Sequence, residues 1–149
     1  MGYVPASLAG ASYAFGGGRY TNYTAVEVTE GTLTLGVRNL GTGLSGDWLP
    51  FGGLRVVYLG NAEEASESLT NVQKSYQDRA ETILNFVTSD GDDYDKYPNM
   101  SQALKADLES TLTESKNELT GEQKMTFINK FSLLLNDVYN CRGGIRGCG

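Results

Sequence analysis

The sequence predicts an α+β protein in which an antiparallel β-sheet, of the partial sandwich or jelly-roll type, precedes a three-helix bundle. Most of the 19 glycines lie before residue 61 or after residue 142, which separates a glycine-rich part of the chain from a glycine-poor part. Between residues 23 and 59, apolar and polar residues alternate with the period of half-buried strands. After residue 61, apolar residues recur every three or four positions, as in amphipathic helices.

The predicted sheet begins with a β-hairpin. Residues 1–19 are small and glycine-rich, and they predict a flexible loop or a tight turn. Residues 23–29 and 32–38 alternate in polarity and are joined by the compact turn pair Glu30 and Gly31, so the two runs should pair. Their apolar side chains should share the inner face of the sheet: Val26, Val28, Leu33, Leu35 and Val37.

A third strand completes the predicted sheet. Residues 39–47 are rich in Gly and Ser and predict a loop, which leads through residues 48–51 to an apolar run over residues 54–59. Short connections favour antiparallel pairing of neighbouring strands. The first predicted unit therefore spans residues 1–60.

Three amphipathic helices make up the second predicted unit, residues 61–140. The first should span residues 62–88 and the second residues 100–118, and Thr120 and Gln123 form a capping box at the start of the third. The apolar faces carry Ala65, Leu69, Val72, Tyr76, Ala80, Ile83 and Val87, then Leu104, Leu108 and Leu112, then Phe127, Ile128, Phe131, Leu134, Leu135 and Val138. Short loops between such helices favour an up-down-up bundle.

The last predicted unit is a tail over residues 141–149. Cys141 and Cys148 enclose a short glycine-rich loop whose backbone freedom would let the two sulfurs meet in a disulfide. A disulfide implies an oxidising compartment, so we expect a secreted, periplasmic or cell-surface protein. The alternative is two free thiols in a cytosolic tail.

The composition of the chain argues against several classes of function. With a net charge of −6 and no His, the chain lacks the cationic surface that holds nucleic-acid phosphates, and it lacks the commonest general base. Its densest carboxylates lie together in residues 90–95, where they would repel one another rather than divide acid and base roles. That loop lacks the full calcium-binding pattern, which favours a solvated acidic turn over a calcium site. We expect no catalysis, no cofactor, no metal and no nucleic-acid partner. We also expect no membrane span, since no run approaches about 20 apolar residues.

A series of short motifs in the first 60 residues occurs in a recognisable order. Residues 11–15 are rich in Ala and Phe and precede a Tyr-x-Asn turn at Tyr20 to Asn22. The hairpin follows, then Asp47 and Trp48, and then the strand Leu-Arg-Val-Val-Tyr-Leu-Gly over residues 54–60. This order resembles the C-terminal part of a galactose-binding-like β-sandwich domain, of the carbohydrate-binding-module type found in secreted and surface proteins of gut bacteria. In those proteins a helical segment often follows.

The resemblance implies a sandwich of about eight strands, of which only three or four are visible. Either a missing N-terminal part of the sandwich or the helices would then cover the open sheet. At the rim where related modules contact sugar, this chain has Gly52 and Gly53 after Phe51 in place of a polar pair.

These patterns predict a non-catalytic extracellular binding module that recognises carbohydrate. Sugar sites combine an aromatic platform with neighbouring polar groups. The predicted ligand-binding residues are Tyr20, Asn22, Tyr23, Asp47, Trp48 and Arg55. Trp48 has an alternative role as a core residue. The alternative function is a structural or protein-protein interaction module with no small-molecule ligand.

Overall fold

Three long helices carry the core of the protein. The computed structural model describes residues 8–16, 21–36, 54–61, 63–85, 97 and 100–141. Its helices are α1 (Leu8–Gly16), α2 (Ser66–Asn85), α3 (Gln102–Ser115) and α4 (Gly121–Asn140). Each of α2, α3 and α4 packs against the other two. The three helices predicted after residue 61 are therefore present, with ends that differ from the predicted ones by a few residues.

The core lies between the apolar stripes of these three helices. A helical stripe forms because residues three and four apart lie on the same face, and each stripe gains stability by leaving water. The fully or almost fully buried side chains include Leu69, Tyr76, Ala80, Leu108, Ile128, Phe131, Leu135 and Val138. Tyr76 and Phe131 are the largest of them, and their rings stack at 6.1 Å.

Polar contacts show the directions of the helices. At the start of α2, Ser66 and Thr70 each accept a hydrogen bond from the Lys124 ammonium, near the start of α4, at 2.9 Å. About two turns further along both helices, Tyr76 meets Phe131, so α2 and α4 run in the same direction. Only residues 116–120 join α3 to α4, and so short a connection turns the chain back. The bundle is therefore up-down-up.

Two of the helices begin at a capping side chain. The Thr120 hydroxyl accepts a hydrogen bond from the Gln123 N–H at 3.3 Å, and the Gln123 side chain accepts one from the Thr120 N–H at 2.9 Å. The predicted capping box of α4 is thus confirmed. Ser101 caps α3 by accepting from the Leu104 N–H at 3.1 Å. Each cap satisfies amide donors that the first helical turn leaves without a partner.

The end of α3 is tied to α2 by amide side chains. The Ser115 carbonyl accepts hydrogen bonds from the side-chain N–H groups of Gln73, at 2.6 Å, and Gln77, at 3.0 Å. A carbonyl in the last turn of a helix has no partner within that helix. These two bonds therefore satisfy an orphan acceptor and set the axial position of α3 along α2.

The predicted α+β class is wrong for the described part of the chain, which contains no strand and no sheet. Residues 21–36 and 54–61 are extended, with a bend at residues 29–31 where Gly31 has φ 72°, but neither extended run pairs with another to form a ladder. The predicted turn at Glu30 and Gly31 therefore exists without its hairpin. The predicted inner face is also wrong, because Val26, Val28, Leu33 and Leu35 are all exposed.

The N-terminal loop prediction is wrong over the residues of α1. Residues 8–16 form a helix, although residues 1–19 predicted a flexible loop or a tight turn. The run Leu8–Gly16 contains six small residues but no Pro, so nothing in its interior blocks helical hydrogen bonding. The glycine run that suggested flexibility begins only at Gly16, where α1 ends.

The remaining fold predictions concern residues that are only partly described. Cys141 is buried at the C-cap of α4 and is disulfide-bonded, and Cys148, its predicted partner, lies outside the described residues. The acidic loop over residues 90–95 also lies outside them. None of the described helices is both long enough and apolar enough to cross a membrane.

Replacing the cap residue of α4 should weaken the bundle. We expect Thr120→Ala to lower the free energy of unfolding by about 1 kcal/mol, because the Gln123 N–H loses its acceptor. Urea denaturation followed by circular dichroism at 222 nm measures this change. The matched control is Thr126→Ala, an exposed position within α4, which should change stability by less than about 0.5 kcal/mol. Equal losses in both variants would contradict the capping role.

Candidate functional site

The groove between α2 and α4 holds a piece of extended chain. This piece, residues 21–25, is named the held segment. Three side chains reach its backbone: Tyr76 and Arg79 from α2 and Asn129 from α4. These three residues are named the clamp. The clamp and the held segment are the most specific polar arrangement that the described residues contain, and they form the candidate site.

Tyr76 binds both main-chain groups of one residue. Its hydroxyl oxygen accepts a hydrogen bond from the Tyr23 N–H at 2.7 Å, and the same hydroxyl donates to the Tyr23 carbonyl at 2.9 Å. A hydroxyl can donate one hydrogen bond and accept others, so both bonds form together. One phenol group therefore satisfies the donor and the acceptor that a neighbouring strand would otherwise satisfy.

Asn129 repeats this arrangement two residues further along. Its side-chain oxygen accepts from the Ala25 N–H at 3.0 Å, and its side-chain N–H donates to the Ala25 carbonyl at 2.8 Å. A carboxamide carries a donor and an acceptor side by side, which matches the two main-chain groups of one extended residue. The two bonds hold Ala25 half-buried against the core.

Arg79 contacts the start of the held segment. Its guanidinium donates a hydrogen bond to the Thr21 carbonyl at 3.0 Å and lies 5.4 Å from the centre of the Tyr76 ring, a cation–π distance. The clamp therefore contacts residues 21, 23 and 25. In an extended chain these alternate residues direct their main-chain groups toward the same side.

The clamp is rigid because its central ring belongs to the core. Tyr76 is 0% exposed and stacks on Phe131 with an interplanar angle of 20°. The Tyr23 ring meets the Tyr76 ring edge to face, at 5.9 Å and 83°, a preferred arrangement of aromatic pairs. The held segment is thus fastened by aromatic packing as well as by hydrogen bonds.

The outer edge of the held segment has no such partners. If residues 23 and 25 direct their main-chain groups toward the bundle, then residues 22, 24 and 26 direct theirs away from it. Within the described part of the chain, no hydrogen bond involves Asn22, Thr24 or Val26, and all three residues are exposed. The segment therefore presents one satisfied edge and one open edge, as an edge strand of a sheet does.

Apolar side chains are exposed along both extended runs. Val26, Val28, Leu33 and Leu35 follow the held segment, and Leu54, Val56, Val57 and Tyr58 precede α2. Tyr58 is 91% exposed. Single exposed apolar residues are common on protein surfaces, whereas consecutive runs of them are typical of surfaces that another molecule covers.

A shallow polar depression lies beside Arg79. Its volume is about 540 Å³, and it opens widely to solvent between the end of α1 and the middle of α2. Gly16, Thr21 and Tyr23 line it together with polar residues of α2, among them Lys74 and Asp78. Charges of both signs line this surface, so it favours no single class of charged ligand.

The structure does not bring the described members of the predicted sugar-binding set together in one site. Tyr20, Asp47 and Trp48 lie outside the described residues. Tyr23 packs against the clamp, Asn22 lies on the open edge, and Arg55 lies in the second extended run. Within the described chain, no hydrogen bond or ion pair joins Arg55 to either of the other two.

The sequence reasoning assigned Tyr76 to the core alone and did not identify Arg79 or Asn129. A usable signal was present for Asn129, since it is a polar residue between the buried residues Ile128 and Phe131 of one helix. A carboxamide at such a position needs a hydrogen-bond partner. The partner is the main chain of Ala25, 104 residues away, and local spacing gives no sign of it.

Comparison with protein-family models, characterised proteins and solved structures finds no match for this chain. The resemblance to galactose-binding-like domains therefore remains a prediction, and the β-sandwich that it implies is not the fold of the described residues.

Removing one hydroxyl should loosen the held segment without disrupting the bundle. Tyr76→Phe keeps the stacked ring but removes both bonds to Tyr23, which together should contribute about 1–3 kcal/mol to holding the segment. We expect the Tyr23 amide to exchange with solvent about tenfold faster or more, measured by hydrogen–deuterium exchange with NMR detection.

The matched control for this substitution is Tyr58→Phe, because the Tyr58 side chain is exposed. It should leave the exchange of the Tyr23 and Ala25 amides unchanged. Unchanged exchange in Tyr76→Phe as well would contradict the clamp.

Proposed function

We propose that the chain is a non-catalytic protein-interaction module that displays an extended segment for pairing with a strand of a partner polypeptide. The observation that carries this proposal is that, within the described chain, the main chain of residues 21–26 has hydrogen-bond partners along one edge only. Tyr76 and Asn129 bind the inner main-chain groups at distances between 2.7 and 3.0 Å, while the outer groups have no partner in the described chain.

An open strand edge is suited to binding by strand addition. Its N–H and C=O groups have the spacing of a β-ladder, and a partner strand supplies the complementary groups. A free flexible segment would lose conformational entropy on pairing, whereas the held segment is already extended. The clamp therefore lowers the entropic cost of pairing.

The exposed residues indicate the chemistry of the partner. Val26 and Val28 would contact the side chains of an added strand on one face, which favours apolar residues there. Glu27 and Glu30 lie in the same extended run, and the whole chain carries a charge of −6, so basic residues in the partner are favoured over acidic ones. The expected partner strand alternates apolar residues with polar or basic ones.

The contacts of the clamp are contacts of recognition rather than of catalysis. All its hydrogen bonds to the held segment involve main-chain amide groups, and the remaining contacts are ring packing. Carbohydrate binding and an extracellular location remain predictions from the sequence, and the clamp geometry adds no support for a sugar site, because the Tyr23 ring is engaged with Tyr76.

A proline on the open edge should block strand addition. Thr24→Pro removes the outward N–H of residue 24 but none of the hydrogen bonds to the clamp, and proline tolerates the extended backbone. We expect it to weaken binding of a fluorescent eight-residue peptide that alternates Val with Lys about tenfold or more, measured by fluorescence anisotropy. Thr24→Ala is the matched control, because it removes the side chain and keeps the N–H, and it should bind the peptide as the original chain does.

A glycan array screened in parallel separates the two proposed ligand classes. Peptide binding that Thr24→Pro weakens and Thr24→Ala preserves would support the interaction module. Saturable glycan binding without peptide binding, and its loss in Trp48→Ala, would overturn the interaction module and support the carbohydrate prediction.

A further inference from the structure

We infer that the clamp itself is a peptide-binding site, whose resident ligand is the held segment and which accepts an extended segment of another polypeptide when its own segment leaves. This inference goes beyond the proposed function, because it concerns the groove between α2 and α4 rather than the open edge. The ligand is an extended polypeptide with an aromatic residue followed two positions later by a small one.

The clamp binds the main chain of its ligand. Its five hydrogen bonds to the held segment go to the Thr21 carbonyl and to the N–H and C=O groups of Tyr23 and Ala25. Every polypeptide carries these groups at the same spacing when it is extended, at about 3.3 Å per residue. The hydrogen bonds therefore select an extended conformation, and they do not by themselves require this chain's own sequence.

Two ligand positions in the clamp also select side chains. The ring of Tyr23 packs edge to face on Tyr76 at 5.9 Å, so an aromatic residue is favoured at that ligand position. Ala25 is half-buried and packs against the core cluster, which favours a small side chain at that ligand position. Asn22 and Thr24 are exposed, so the positions between accept any polar residue.

The residues that support the clamp do not depend on its occupant. Tyr76 is held by Phe131 at 6.1 Å and by the Arg79 guanidinium at 5.4 Å, and Asn129 lies on α4. These supports belong to the bundle and remain when the held segment leaves. A site placed on packed helices stays organised for a second ligand.

The held segment is attached to the bundle at few points. Beyond Ala25 the side chains of Val26, Val28, Leu33 and Leu35 are exposed, so they add no buried anchor to the bundle. A segment with few buried apolar contacts opens locally at a lower cost than the core. Release of the held segment would expose the polar groups of Tyr76 and Asn129, whose natural complement is another extended backbone.

The groove holds the chain's own segment because that segment is covalently attached to the bundle. The held segment belongs to the same chain, so it competes at a high effective concentration against any free peptide. A peptide added to the original chain should therefore bind weakly. Disabling the held segment should reveal the site, and this reversal distinguishes the clamp from the open edge.

The test uses the full chain and a fluorescent synthetic peptide with the sequence of residues 20–28. The variant Ala25→Pro removes the N–H that Asn129 binds and so disables the chain's own segment. We expect the peptide to bind Ala25→Pro about tenfold more tightly than it binds the original chain. Adding Asn129→Leu to Ala25→Pro should then weaken peptide binding about tenfold or more.

Control variants test whether the peptide binds at the clamp. Thr24→Pro carries the same substitution one residue earlier and keeps every bond to the clamp, so it should not raise the affinity for the peptide above that of the original chain. A peptide with Pro in place of the residue equivalent to Ala25 should not bind. Circular dichroism at 222 nm checks that the bundle stays folded, and Tyr76→Phe in the Ala25→Pro background is the second clamp variant, because it keeps the buried ring.

Two outcomes would overturn the inference. One is equal affinity of the peptide for the original chain and for folded Ala25→Pro. The other is peptide binding by Ala25→Pro that survives removal of the clamp groups at Asn129 or Tyr76. Binding that Thr24→Pro abolishes and Ala25→Pro does not raise would place the peptide on the open edge, which overturns the clamp site while leaving the proposed function intact.

Discussion

The rest of the described structure depends on the contacts made by the buried side chain of Tyr76. Its ring is fully buried and stacks on Phe131, and so it joins α2 to α4 at the centre of the bundle. Its hydroxyl reaches the surface of the groove and binds the N–H and C=O of Tyr23. A buried tyrosine hydroxyl normally needs a hydrogen-bond partner, and here the need is met by main-chain groups from a distant part of the sequence.

The way the extended chain is satisfied explains why a bundle can carry β-like segments without a sheet. Extended backbone must find partners for its N–H and C=O groups or remain exposed to water. Tyr76 and Asn129 provide those partners on one edge, and solvent serves the other edge in the described structure. Side chains thus take the place of a neighbouring strand. The same arrangement leaves an edge that a further polypeptide can use, which links the packing of the helices to the proposed interaction.

The helical part was predictable because its signals are local. Apolar periodicity, the capping box of Thr120 and Gln123, and the short connection before α4 all act within a few residues. The sheet was mispredicted because alternation indicates an extended backbone but does not choose its partner. Of the candidate site, Tyr23 was singled out for a different role, while Tyr76 was read as core and Asn129 was missed. Their pairing depends on contacts 53 and 104 residues apart.

The sequence by itself determined three amphipathic helices, the capping box of α4, the bend near Gly31 and the extended character of the runs around it. These features follow from side-chain spacing and from the few residues that terminate helices or accept unusual backbone angles. Only the tertiary structure decided where the extended run would find its hydrogen bonds. The physical reason is that main-chain N–H and C=O groups form hydrogen bonds of similar energy with a neighbouring strand, a phenol or a carboxamide. The packing of α2 and α4 therefore decides the partner, because it places Tyr76 and Asn129 within reach.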